Sequence, residues 1–178
     1  MLVLGGIDME FRDVLYSRHS TRSFTDRVVT KSEIHSMIDA AIHAPNACNM
    51  QSWHYYIITD PTVKKQMAEN GACAKWVSEA PVIFVICTDA EELKQRFGEK
   101  GEIFALQDTA AAAENLLLCA TDMGLGGCII GAFDSDKCRT LLSVPKKMDI
   151  AMLVPVGEPD EPAMPKKRKP IEVVVTYI

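Results

Sequence analysis

The chain has no Cys-x-x-Cys pair, no long apolar run and no excess of positive charge, and each absence removes a class of protein. Six cysteines are present, Cys48, Cys73, Cys87, Cys119, Cys128 and Cys138, at spacings that fit neither zinc nor iron–sulfur ligation. A disulfide framework is not expected, which favours a reducing, cytoplasmic setting. Cys87 and Cys119 lie in apolar runs and read as buried thiols. No apolar stretch approaches the roughly 18 residues that span a bilayer, so no membrane partner is expected. The opening MLVLGGIDMEF also lacks the basic region and apolar core of a secretory leader. With 24 acidic against 19 basic side chains the formal net charge is −5, opposite to the basic surface that nucleic-acid binding requires.

Several catalytic patterns are missing too. His19, His35, His43 and His54 show no metal spacing with acids or cysteines, and His35 and His43 read as surface helix residues. No Ser–His–Asp arrangement or nucleophile elbow can be argued, so no catalytic side chain is named. Gly124-Leu125-Gly126-Gly127 follows a helix and precedes a strand, the reverse of the Rossmann order, and lacks the Gly-Lys-Ser/Thr of a phosphate-binding loop. Glu91-Glu92 and Asp160-Glu161 read as solvated charge. No internal repeat is found.

What remains is an ordinary globular composition: 178 residues, 48% apolar and 24% charged, enough for one domain over 1–178 with a real core. Residues 8–17 read as a helix. Thr30 opens a second through a capping box with Glu33, and Pro45 stops it. WHYYIIT is strand-like, and Asp60-Pro61 starts a helix ending at Asn70-Gly71. VIFVICT, 82–88, is a buried strand central in a sheet. Residues 89–101 read as a short charged connection, and the longest helix spans about 103–123 with its stop at Gly124. GCIIGAF is a strand or turn–strand, Asp134 starts a short helix, and IAMLVPVG is a strand. A proline-rich tract from Glu158 to Pro170 must be irregular, and IEVVVTYI, 171–178, reads as a terminal strand. Such a strand is a sticky edge unless paired, on its own sheet or a partner's.

Four segments could carry chemistry. Arg18-His19-Ser20-Thr21-Arg22 concentrates donors with no acid, which suits a phosphate, since guanidinium grips that group bidentately and stays charged. The loop Ala44 to His54 carries three amides, Asn46, Asn49 and Gln51. They either match the donor–acceptor edge of a pyrimidine-like ring or satisfy their own turn. The glycines at 124, 126, 127 and 131 allow close backbone approach to a flat ring, or make a helix stop and tight turn. Met164-Pro165-Lys166-Lys167-Arg168-Lys169-Pro170 is a basic run that a following strand would pin in space, leaving it free to meet the arginine segment.

These four elements, in this order from Arg18 to Arg168, resemble the nitroreductase family of FMN-dependent NAD(P)H oxidoreductases. The resemblance rests on RHSTRSF, APNACNMQSWHYYI, GLGGCIIGAF and PKKRKP. It implies an α+β fold, a central mostly antiparallel sheet flanked by helices, and a homodimer with the C-terminal arm exchanged and two FMN at the interface. By resemblance Arg18, His19, Ser20 and Arg22 bind the flavin, Arg18 and Ser20 toward the phosphate and Arg22 toward the pyrimidine edge. A cation at that edge favours an electron-rich ring. Lys166 and Arg168 close on the phosphate, with Lys167 in solvent. Asn46, Asn49 and Gln51 reach the ring from the other subunit, and Gly126 and Gly127 lie beside it.

The chain departs from the family in three places. Asn46 stands where serine is common, and Ser52 where proline is common, which should loosen the loop before Trp53. The chain is also short around 89–103, which implies a more open flavin face. The activity implied is ping-pong transfer from NADH or NADPH to nitroaromatic or quinone-type acceptors. The alternatives are a flavin-binding redox sensor or FMN store without turnover, or enone reduction or dehalogenation on the same scaffold.

Overall fold

The computed structural model describes residues 10–163 and 166–178. Residues 8 and 9 of the expected first helix, and Met164 and Pro165 of the basic tract, lie outside them. The chain runs through α1 (Phe11–Ser17), α2 (Lys31–Ile42), β1 (Trp53–Ile58), α3 (Pro61–Glu69), α4 (Lys75–Glu79) and β2 (Val82–Thr88). There follow α5 (Glu91–Phe97), α6 (Lys100–Asp122), β3 (Gly126–Gly127), α7 (Ser135–Leu142), β4 (Asp149–Gly157) and a single helical turn, α8 (Ile171–Val174).

Side chains that accept backbone N–H groups start three of these helices. The Thr30 N–H donates to Glu33 Oε2 at 2.7 Å, and the Glu33 N–H donates back to Thr30 Oγ1 at 3.2 Å, the reciprocal box read from the sequence. Asp60 accepts from Thr62 N at 2.7 Å to open α3, and Asp134 accepts from Lys137 N at 3.0 Å to open α7. At the end of α6, Gly124 is left-handed (φ 73°), and the Leu125 N–H returns to Ala120 O at 2.8 Å.

The four strands form one sheet in the order β1-β2-β4-β3, antiparallel throughout. Every residue of β2 is buried, which explains its unbroken apolar run. Phe84 and Ile86 join a core built with α2 and α6, while Ile83, Val85 and Cys87 join a second one with α3, α4 and α7. Antiparallel sheets usually wet one face; here helices cover both, so polar alternation is lost. The fold is thus α+β, as expected.

Three expectations need correction. Residues 89–101 are not a connection: α5 folds there and packs on α6, whose first turn includes Gly101. A Cβ on Gly101 would overlap the backbone of Leu93 and Lys94, so this glycine marks a close helix crossing. The segment 171–178 is not a strand within this chain. Its residues are exposed, and after Pro170 the one backbone bond among the described residues is local, Val173 N–H to Pro170 O at 3.1 Å, which orders its first turn. A β-prone sequence needs a neighbouring strand to express that preference, and none of the described residues forms one beside it. Cys119 is only half-buried, although desolvation still pushes its thiol up to about 11. The short α4 had no separate signal in the sequence.

Two measurements follow. Gly101→Ala would normally favour a helix, but here it must part α5 from α6; we expect a loss of about 1–3 kcal/mol in denaturant unfolding. Burial pushes the Glu33 carboxyl up, but hydrogen bonds from Arg27 and Thr30 outweigh it and leave it below its ordinary value. A lowered carboxyl stabilises fully above the unfolded-state range and loses that effect as pH falls through its folded value. The acid limb of a stability–pH profile should therefore be shallower in Glu33→Gln than in the wild type.

Candidate functional site

After α1 the chain passes along the free side of β3. The Thr21 N–H donates to Gly127 O at 3.1 Å, and Ser20 bridges Gly127 in parallel. Thr21 is fully buried and lies over Gly126, where a Cβ would overlap its hydroxyl. Neighbours of an inward residue in an extended segment face outward, and Ser20 and Arg22 are both exposed. Farther along, the Thr25 N–H meets Glu158 O at 2.9 Å and the Asp160 N–H meets Ser23 O at 3.0 Å. The Arg22 N–H donates to Glu161 Oε1 at 2.6 Å. The segment after α1 and the tract after β4 are thereby laced together.

The result is a cleft of about 670 Å³ whose lining includes Arg18, Ser20, Arg22, Lys166 and Arg168. Lys167 is exposed and does not line it. Among the described lining residues Glu161 is the one carboxylate, and one of its oxygens is occupied by the Arg22 N–H. Arg18 Nε lies 3.4 Å from Glu114 Oε1, a contact that uses neither of its terminal nitrogens. His19 also lines the cleft but serves its own segment. Its Nδ1 is 3.0 Å from Ser17 O and so carries the proton, and its Nε2 faces Thr21 Oγ1 at 3.4 Å. Glu161 and Glu114 were missed in the sequence; Glu161 read as solvated charge because its partner lies 139 positions away.

A larger cavity of about 910 Å³ lies between β1 and α5, lined in part by Trp53, His54 and Gln51. Its acids, Asp89, Glu91, Glu92, Glu102 and Asp149, outnumber its three lysines. Two of those lysines are paired, Lys147 with Asp89 at 2.8 Å and Lys94 with Glu102 at 2.6 Å. A dianion therefore favours the cleft at Arg18.

The loop after α2 is an unusual piece of backbone. Cys48, Asn49 and Gln51 are all left-handed, with φ of 54°, 55° and 49°, a region non-glycine residues seldom enter. Asn46 braces it: Oδ1 accepts from Gln51 N at 3.0 Å and Nδ2 donates to Ala44 O at 3.3 Å. Gln51 Nε2 reaches Asn49 O at 3.3 Å, and both of these side chains are exposed.

The sequence profile of the nitroreductase family matches residues 15–74 and 65–158. The chain belongs to this family. An FMN reductase (NADPH) of Bacillus subtilis is 28% identical over 176 residues, covering 91% of this chain and 71% of that protein. An oxygen-insensitive NADPH nitroreductase of Helicobacter acinonychis is 26% identical over 204 residues, covering 94% and 96%. The crystal structure of a nitroreductase family protein from Streptococcus pneumoniae superposes with a TM-score of 0.84 at 25% identity, covering 95% of this chain and 100% of that one.

In this member of the family, one chain brings together Arg18, His19, Ser20, Arg22, Lys166 and Arg168. It does not bring Asn46, Asn49 or Gln51 to the same cleft. Gly126 and Gly127 are buried in β3, and packing explains both. A Cβ at 127 would sit 2.8 Å from Leu117 Cδ2 and from Pro155 O. The expected loosening at Ser52 is also corrected, because its hydroxyl is 3.1 Å from Thr88 Oγ1 and its carbonyl accepts from Asp89 N at 2.9 Å. The donor set of the cleft, four cations and a hydroxyl against one engaged carboxylate, fits the phosphate of FMN. Among the described residues, no group of three His, Cys, Asp or Glu could hold a metal, and no helix is long and apolar enough to cross a membrane. Gly126→Ala should push Thr21 out of place and misdirect Ser20 and Arg22; we expect inorganic phosphate to raise its melting temperature less than that of the wild type.

Proposed function

We propose that the protein is an FMN-dependent NAD(P)H oxidoreductase, a single FMN-binding domain over 1–178 that reduces nitroaromatic or quinone-type acceptors. The observation that carries this reading is the cationic cleft made from both ends of the chain, Arg18 and Arg22 facing Lys166 and Arg168. The relatives named FMN reductase (NADPH) and NADPH nitroreductase support it. When bound, FMN supplies the redox chemistry, accepting electrons from NADH or NADPH and passing them to an acceptor that binds in turn, a ping-pong sequence. The chain's own residues bind and orient. Arg18, Lys166 and Arg168 neutralise the phosphate, Ser20 donates to it, and Arg22 offers a fixed positive charge to the pyrimidine edge.

The placement of the loop supports completion of the site by a second copy: Asn49 and Gln51 are exposed yet away from their own chain's cleft. The C-terminal arm fits the same reading. Ile171, Val173, Val174 and Tyr177 are exposed, Tyr177 at 90%, and a partner's surface would cover them.

Arg18→Ala combined with Arg168→Ala should abolish FMN retention, read from the visible spectrum of the purified protein, while sedimentation stays dimeric. Undiminished flavin occupancy would reject the phosphate assignment. Removal of 171–178 should shift sedimentation toward monomer; an unchanged profile would reject arm exchange. NADH or NADPH oxidation with menadione or nitrofurazone tests turnover, and a yellow protein without turnover would favour the sensor or storage reading.

A further inference from the structure

α6 carries a carboxylate in a place where an apolar core ordinarily excludes one. Asp108 is 6% exposed, and both of its oxygens face a single donor, the Ala47 N–H, at 3.0 and 3.1 Å. Burial pushes its carboxyl above the ordinary value, against the pull of that hydrogen bond. A buried carboxylate bonded to one backbone amide is a poor way to add stability, since losing its hydration costs about as much as the bond returns. What such a bond does well is fix a position.

The position it fixes is the start of the loop. Ala47 follows Asn46 and directly precedes the left-handed Cys48 and Asn49, with Gln51 close behind. The inner side of the loop is packed as well: Ala47 and Met50 rest on a small cluster of Ala90, Leu93 and Ala105 from the α5–α6 pair. Ala105 lies one turn before Asp108 on the same helix. The loop is thus held from below by apolar contact, at its two ends by Asn46 and Ser52, and at one backbone amide by Asp108. Its outer side presents Asn49 and Gln51.

We propose that Asp108 is a positioning residue for cofactor binding: by holding the Ala47 N–H it keeps residues 46–51 on their course, left-handed at 48, 49 and 51, that presents Asn49 and Gln51 to the flavin ring. The inference rests on the reading of this loop as a ring contact. Asp108 itself touches no ligand, and it lies apart from the phosphate cleft, so its effect should fall on the ring alone.

Riboflavin, which lacks the phosphate, makes that separation measurable. FMN and riboflavin are titrated by fluorescence quenching against the full-length protein and its variants. Asp108→Ala should weaken both ligands by the same factor, about tenfold for loss of one hydrogen bond to a charged group. Asp108→Asn, which keeps an acceptor for the Ala47 N–H, should recover most of the affinity for both. Arg168→Ala, in contrast, should weaken FMN only. The visible band of bound FMN, which reports the surroundings of the ring, should change in Asp108→Ala and return in Asp108→Asn.

Ala47→Pro provides the test if Asp108→Ala does not fold. It deletes the N–H from the other side and leaves the packing of α6 untouched. Proline is tolerated there because residue 47 opens a helical turn and Asn46 before it is extended, with φ −149° and ψ 158°. The same parallel loss is expected. Wild-type riboflavin affinity in Asp108→Ala or Ala47→Pro, or a loss confined to FMN, would overturn the proposal. A wild-type protein that binds neither flavin would instead overturn the flavin reading, and this proposal with it.

Discussion

Thr21 lies against the bare Cα of Gly126, and the shape of the cleft depends on that contact. With a side chain at 126 the hydroxyl of Thr21 would have no place, and the segment 18–22 could not close on β3 through the Thr21–Gly127 bond. Because Thr21 points in, Ser20 and Arg22 point out. Because the segment then continues beside Glu158 and Asp160, the far end of the chain is drawn to the same place. One steric vacancy in a two-residue strand thereby sets the aim of cations contributed from both ends of the sequence.

The rest of the fold serves to make that strand rigid. β3 pairs with β4, β4 with β2, and β2 is sealed on both faces by helices. α6 crosses behind this sheet and links its parts: the Asn115 amide donates to Ala40 O at 3.1 Å, tying it to α2, and Asp108 ties it to the loop that follows α2. On the opposite face Lys64 is buried with its ammonium on Ala80 O and Pro81 O, at 2.7 and 3.1 Å. Desolvation lowers its pKa, and those two carbonyls still give the ammonium hydrogen-bonded partners. The region 89–101, read from sequence as a short charged connection, is occupied by α5 and the start of α6 and forms part of the support for the loop.

Much of this was legible beforehand because it is local. The capping box of Thr30 and Glu33, the Asp60-Pro61 start, the Gly124 stop and the buried run of β2 each depend on residues within a few positions of one another. The density of donors in 18–22 and in 166–169 was equally plain. Two features misled for one shared reason. The β-prone 171–178 and the charged 89–101 were read by propensity, whereas the first has no strand beside it among the described residues of its own chain and the second has an apolar side, Leu93 and Phe97, that α6 covers.

By itself, then, the sequence determined most of the helices and strands of the core, though not α4 or α5, and which residues are chemically able to hold a phosphate. It also carried a resemblance specific enough to anticipate the nitroreductase family. The tertiary structure alone decided which of those residues meet. Arg22 and Glu161 are 139 positions apart, and Ala47 and Asp108 are 61. It likewise gave Gly126 and Gly127 a packing purpose, since the need for glycine there comes from Thr21, Leu117 and Pro155 pressing on a strand of two residues. Such contacts arise from how layers stack, and no periodicity or spacing along the chain encodes them.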